Sequence, residues 1–152
     1  NPGNNNDIQG RNSFQTLDAS LAYKWYKQLT LTLASTVGAA ELLKRTVKST
    51  RPDGSDDKSF PSGHTAVAFA AVRFMDQRYA SQVAPYRPWL YAAAGLTGLA
   101  RVQADQHYWR DVAAGALLGW GAATWLTEPV QGGQLAVLPA SRGVAVFWQR
   151  GW

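Results

Sequence analysis

Val112-Ala113-Ala114-Gly115-Ala116-Leu117-Leu118-Gly119-Trp120-Gly121-Ala122-Ala123-Thr124-Trp125-Leu126-Thr127 is a run of sixteen residues with no charge, no proline and small side chains at every turn. Together with its shorter upstream counterpart, Trp89 to Ala100, it falls below the roughly 18 to 20 apolar residues needed to cross a bilayer, so both are read as buried helices. Glycines and alanines at 92–95, 98, 113–115, 119 and 121 let helix axes approach closely, as a tight bundle requires. The core is therefore predicted to be all-α.

Working outward, the helical stripe recurs upstream. Leu17, Leu21 and Trp25 repeat every four residues from Ser13 to about Gln28, and Leu33, Val37, Ala40, Leu43 and Val47 continue it, which predicts two helices. Arg51-Pro52-Asp53-Gly54-Ser55-Asp56-Asp57 is rich in breakers and opens a loop that lasts to about Pro61. Helices are then expected from Ser62 to about Ala80, from Pro88 to about Ala104, and from about Tyr108 to Leu126. After Gly132-Gly133 the period changes: Leu135, Val137, Val144, Val146 and Trp148 alternate around Ser141-Arg142-Gly143, the pattern of a small β-hairpin. The expected architecture is a compact bundle of about five to six helices with a C-terminal hairpin.

A length of 152 residues suits one domain. Residues 1–12 read as a flexible arm and 13–152 as a single domain, with a helical core over 16–127 and the hairpin over 133–152. The opening run Asn1-Pro2-Gly3-Asn4-Asn5-Asn6 has no Met, as expected of a processed or trimmed chain. The absence of cysteine excludes disulfides and thiolate metal sites within this sequence. A net charge of +5 favours anionic partners, namely phosphates, acidic lipid surfaces or nucleic acid, without choosing among them. No nucleic-acid motif accompanies the charge.

Three polar clusters fit phosphate chemistry. Lys44 and Arg51 are seven residues apart, just under two helical turns, and are expected to project from nearly the same side of a helix end. Pro61-Ser62-Gly63-His64 sits at an expected helix start, where unpaired N–H groups, a hydroxyl and a titratable imidazole make an anion cradle with an acid attached. In the third cluster, Arg101 precedes His107 and Asp111, which stand four apart on one helical face. A carboxylate there is expected to orient the imidazole, fix its tautomer and leave the other ring nitrogen free to attack.

These residues, Lys44…Arg51-Pro52, Pro61-Ser62-Gly63-His64 and Arg101…His107…Asp111, resemble the three-part signature of the type 2 phosphatidic acid phosphatase superfamily, in order and in internal spacing. That superfamily includes lipid phosphatases, bacterial acid phosphatases and vanadium haloperoxidases on a shared helical core. The resemblance implies that His107 attacks phosphorus, Asp111 supports it, and His64 protonates the leaving oxygen and then helps to activate water. It assigns Lys44, Arg51, Ser62, Gly63 and Arg101 to the phosphoryl oxygens and calls for no metal or other cofactor. One position departs: the family usually carries Ser before the third-motif Arg, where this chain has Ala100. Weaker support at that point, not lost activity, is the expectation.

The favoured expectation is hydrolysis of a phosphomonoester or diphosphate of a lipid in a periplasmic or secreted setting, with peripheral membrane contact. The alternatives are an acid phosphatase acting on soluble phosphomonoesters, a vanadium haloperoxidase, against which the short chain counts, and a non-enzymatic module that binds anionic surfaces. Trp120 and Trp125 are expected to face the core or bundle, and Asp105 to serve a turn or to stand behind the site.

Overall fold

The computed structural model describes the backbone of residues 6–127, 133–140 and 143–150, and the side chains of residues 22–127. Helix α1 spans Asn6–Thr46, α2 Gly63–Arg78, α3 Ala80–Val83, α4 Arg87–Gln103 and α5 Trp109–Leu126, with a 3₁₀ turn at Ala84–Tyr86 before α4. The all-α expectation holds for the core, and the last three predicted helices fall within two residues of their observed bounds. The first two do not exist separately. No Gly or Pro occurs between Ser13 and Val37, so nothing stops the helix and α1 runs through both predicted segments. The expected arm over 1–12 and the hairpin over 133–152 lie outside the residues whose side chains are described. The backbone of the latter stretch is drawn as two antiparallel strands, Gly133–Ala140 and Gly143–Arg150.

α2 sits at the centre and packs on α1, α4 and, most extensively, α5. Its buried residues are small apart from Phe74, against which Trp25 of α1 stands edge-on with ring centroids 6.2 Å apart. The α2–α5 approach depends on two glycines. A Cβ on Gly115 would run into the Ser62 carbonyl, and one on Gly119 into the Ala66 carbonyl. Both obstacles are backbone, so the two helices meet main chain to main chain. Gly98 of α4 is similarly confined, against Val112 and Thr65.

At the far end of α2, the buried Asp76 carboxylate accepts from Arg73 at 3.2 Å, Arg87 at 2.7 Å and the Tyr91 hydroxyl at 3.3 Å. This ties α2 to α4, while Arg73 also donates to Thr124 of α5 at 3.0 Å and lies over the Trp120 ring. The helices expected to be buried are only half so. Leu96 of α4 and Leu117 and Trp125 of α5 are exposed, Trp125 by 92%, contrary to the core placement expected of it. Trp120 is partly exposed and serves as the platform for Arg73.

The chain direction matters most for the site. α1 and α4 end, and α2 and α5 begin, at the same end of the bundle. Helix C-termini there accommodate Lys44 and Arg101, and helix N-termini offer N–H groups to an anion.

Candidate active site

A cleft of about 640 Å³ opens at that end, lined by Lys44, Arg51, Lys58, Gly63, His64, Arg101 and His107, with Val37, Ala40, Val67 and Ala68 along an apolar wall. Six of the eight residues singled out from the sequence meet here: Lys44, Arg51, Gly63, His64, Arg101 and His107. They come from three helices, α1, α2 and α4, and from the loops that precede α2 and α5.

Lys44 and Arg51 reach the cleft by different routes. α1 stops at Thr46, so Arg51 belongs to the following loop and not to a shared helix face. Pro52 and the turn at Gly54, which adopts a positive φ of 71°, fold the loop back on itself. The loop is braced by Arg51 N–H to the Asp56 carbonyl at 2.9 Å and Ser59 N–H to the Ser49 carbonyl at 2.9 Å. Lys44 Nζ donates to the Lys58 carbonyl at 2.9 Å. Burial first, and then the neighbouring Arg51, lower the Lys44 pKa, against an opposing pull from Glu41.

The two arginines are held by a residue the sequence reading passed over. The Gln106 side-chain oxygen accepts from Arg51 Nη1 at 2.6 Å and, more weakly, from Arg101 Nη2 at 3.5 Å, while its nitrogen donates to Asp53 at 2.6 Å. Arg51 Nε is meanwhile paired with Asp56 at 2.7 Å. Both guanidinium groups are thus oriented before any ligand arrives, and Arg101 Nε is buried with no hydrogen-bond partner. Asp105 adopts a positive φ of 52° and its carbonyl accepts from the Asp53 N–H at 3.1 Å, so it serves the turn.

Ser62 and Gly63 divide their expected task. Ser62 occupies the N-cap position of α2 without capping it through its side chain and is fully buried, with its hydroxyl engaged by the Thr65 hydroxyl at 2.9 Å and its N–H by the Asp111 carbonyl at 2.9 Å. It does not reach the cleft as expected, because α5 packs over it through Gly115. Gly63 does line the cleft, and a Cβ there would meet only Lys44 Cε, at 4.0 Å. His64 is exposed at the cleft mouth. Burial, followed by repulsion from Arg101, Lys44 and Arg51, lowers its pKa. Ala100, the position of the departure, is exposed to solvent.

His107 is 2% exposed and stands just before α5. Its Nδ1 lies 2.6 Å from the Ser59 carbonyl oxygen. A carbonyl oxygen carries no proton, so Nδ1 must donate, and in the neutral ring the lone pair is left on Nε2. Burial, together with Lys44, Arg51 and Arg101, lowers the His107 pKa, against an upward pull from the Ser59 carbonyl. The lowered pKa favours the neutral ring, whose Nε2 then carries the lone pair.

The direct Asp111–His107 contact expected from the four-residue spacing is not formed. α5 begins only at Trp109, so His107 lies off the helical face that carries Asp111. The fully buried Asp111 carboxylate instead accepts the Ser59 hydroxyl and, at 3.0 Å, the Tyr108 N–H, the latter capping α5.

Residues 25–132 match the PAP2 superfamily. Among curated proteins, the chain is 41% identical over 69 residues to a lipid A 1-phosphatase of Porphyromonas gingivalis, covering 45% of this chain and 16% of that one. It is 39% identical over 78 residues to a lipid A 4'-phosphatase of Helicobacter pylori, covering 51% and 38%. It is 37% identical over 75 residues to lipid phosphate phosphatase 1 of Arabidopsis thaliana, covering 41% and 22%. The matched segments thus span well under half the length of each of these relatives. No solved structure matches the chain significantly. With its three spaced motifs gathered at one cleft and its match to the family running through most of its length, the chain belongs to the PAP2 superfamily.

Proposed function

We propose that this protein is a phosphatase acting on phosphomonoesters or diphosphates of lipids, through a phosphohistidine on His107 and without a metal ion. The observation that carries the reading is the His107 ring, donating from Nδ1 to the Ser59 carbonyl, in a cleft that also holds four cations and a second histidine. His107 Nε2 attacks phosphorus as the bond to the leaving oxygen breaks, and His64 delivers a proton to that oxygen. Water then attacks phosphorus with His64 accepting its proton, the phosphorus–nitrogen bond breaks, and inorganic phosphate leaves. Lys44, Arg51 and Arg101, with the first N–H groups of α2, hold the phosphoryl oxygens as charge builds on them. Burial and then the repulsion of Arg101, Lys44 and Arg51 lower the His64 pKa in the free protein, and a bound phosphate dianion offsets the repulsion.

The lipid part of the reading is supported by the apolar wall of Val37, Ala40, Val67 and Ala68 beside the cations, which suits a substrate with a charged head and an apolar tail. Relatives described as lipid phosphatases and lipid A phosphatases support the same class. Exposed Trp89, Leu96, Leu117 and Trp125 supply apolar surface for contact with a lipid phase, although among the described residues no helix is long and apolar enough to cross a membrane. The test is phosphate release in EDTA from a panel of lipid, isoprenoid, sugar and nucleotide phosphates, wild type against His107→Ala. Release confined to wild type and favouring the lipid members is expected. Preference for the soluble members would replace lipids with small phosphomonoesters, and release that survives His107→Ala would sink the mechanism.

A further inference from the structure

Asp111 is the most buried charge of the site, yet no atom of it is hydrogen-bonded to His107. What connects them is one residue that no motif reading singled out. Ser59 is fully buried at the end of the 51–58 loop, three residues before Ser62. Its carbonyl receives His107 Nδ1–H at 2.6 Å, and its hydroxyl donates to the Asp111 carboxylate. The next link repeats the pattern, since the Ser62 N–H donates to the Asp111 main-chain carbonyl at 2.9 Å. The segment carrying Ser59 is therefore pinned to the first turn of α5 at both ends, and its carbonyl faces the His107 ring from a fixed position.

We propose that Ser59 is a positioning residue through which Asp111 acts on His107, its hydroxyl anchoring the segment to the carboxylate and its carbonyl selecting the His107 tautomer that leaves Nε2 free. The proposal rests on the phosphatase reading for its kinetic consequence but not for its geometry. The carboxylate does not touch the ring. It accepts a charge-assisted hydrogen bond from Ser59, which is stronger than a neutral one and leaves the hydroxyl little rotational freedom. The ring reads that anchor through a main-chain oxygen that no side-chain substitution removes. Replacing Ser59 thus loosens the carbonyl without deleting it, whereas replacing Asp111 removes the anchor point itself. The two changes break the same link.

Imidazole ¹⁵N NMR reads the tautomer without any reference to turnover. The chain contains two histidines, and a His64→Ala sample assigns them. In the wild type, His107 is expected to show a protonated Nδ1 and an unprotonated Nε2 wherever the ring is neutral. Protonated Nε2 in the wild type would overturn the proposal before any variant is made. In Ser59→Ala the two tautomers are expected to mix, and kcat to fall about 10- to 100-fold, the usual cost of losing a residue that orients a functional side chain, with KM little changed. Ser59→Cys, which keeps a weak donor of similar size, is expected to fall between the two. Ser59→Ala combined with Asp111→Asn is expected to be no slower than the worse single variant, because both act through one link. A Ser59→Ala protein with a lower melting temperature but an unchanged tautomer and kcat would make Ser59 merely structural. Losses that multiply in the double variant would show that Asp111 reaches His107 by another route. Failure of the wild type to release phosphate would count against the phosphatase reading and leave the tautomer result standing on its own.

Discussion

At the residue scale, the site is built from groups whose pKa values are lowered by burial and by crowding among cations. His107 must be unprotonated to attack and His64 protonated to assist the leaving group, so kcat/KM should be bell-shaped in pH, with the acid limb set by His107 and the alkaline limb by His64. Burial leads the downward shift of both histidines, and Lys44, Arg51 and Arg101 add to it. A lowered pKa lets His107 stay unprotonated further into acid, and it takes the proton off His64 earlier as pH rises. Both limbs therefore move to lower pH, and the bell should centre below the ordinary histidine value of about 6.5. Arg101→Gln should lower activity overall and move the bell upward, because it removes repulsion from both rings. A wild-type profile of kcat/KM centred above neutrality would contradict this account.

The same scale shows why part of the site was legible in the sequence and part was not. Lys44, Arg51, His64, Arg101 and His107 could be read because cations and imidazoles at fixed spacings have few uses other than holding and transferring an anion. Ser59 and Gln106 carried no such signal. Ser59 acts on the ring through a main-chain oxygen, which any residue type possesses, and Gln106 acts through a contact with Arg51 across 55 positions of sequence. The Asp111–His107 spacing misled because it assumed a helix at His107, and α5 starts two residues later.

At the scale of elements, the approach of α5 to α2 holds the nucleophile segment against the phosphate cradle. Gly119→Ala places a methyl on the Ala66 carbonyl, and since backbone cannot swing aside, the helices must separate. A loss of about 1–3 kcal/mol, as in overpacked cores, is expected in urea unfolding, together with a fall in kcat as Ser59 and His107 part. Gly121→Ala, in the same helix with nothing near its Cβ, should instead gain about 0.5–1 kcal/mol from helix propensity. Equal effects at the two positions would mean that close packing does not set the α2–α5 distance. The glycine-rich pattern made this contact legible in kind. It could not say which helix would be met. Nor could it show that Leu117 and Trp125 would be left facing outward, since α5 is apolar on every side and its pattern names no buried face.

Across the whole molecule, the chain separates chemistry from anchorage. Asp76 lies twelve residues after His64 on α2, about 18 Å along the helix axis at 1.5 Å per residue, and gathers Arg73, Arg87 and Tyr91 at the end away from the cleft. Asp76→Asn should cost about 1–3 kcal/mol of stability, because charged hydrogen bonds are weakened at a buried position, and should leave KM unchanged. A raised KM without loss of stability would show that the two ends are coupled. The helical architecture itself was legible because long stretches of 3.6-residue periodicity are bounded by unmistakable breakers at 52–54 and 84–88. The fusion of the first two predicted helices into α1 is not legible in the pattern, because a change in the apolar stripe resembles a boundary even where no breaker stands.

The most direct test of the central claim is to quench the protein during turnover of a labelled lipid phosphate in EDTA and locate the label. The account predicts a phosphoryl group on His107, stable to alkali and lost in acid, and absent from His107→Ala. Steady turnover with no labelled protein, or label on any other residue, would contradict it.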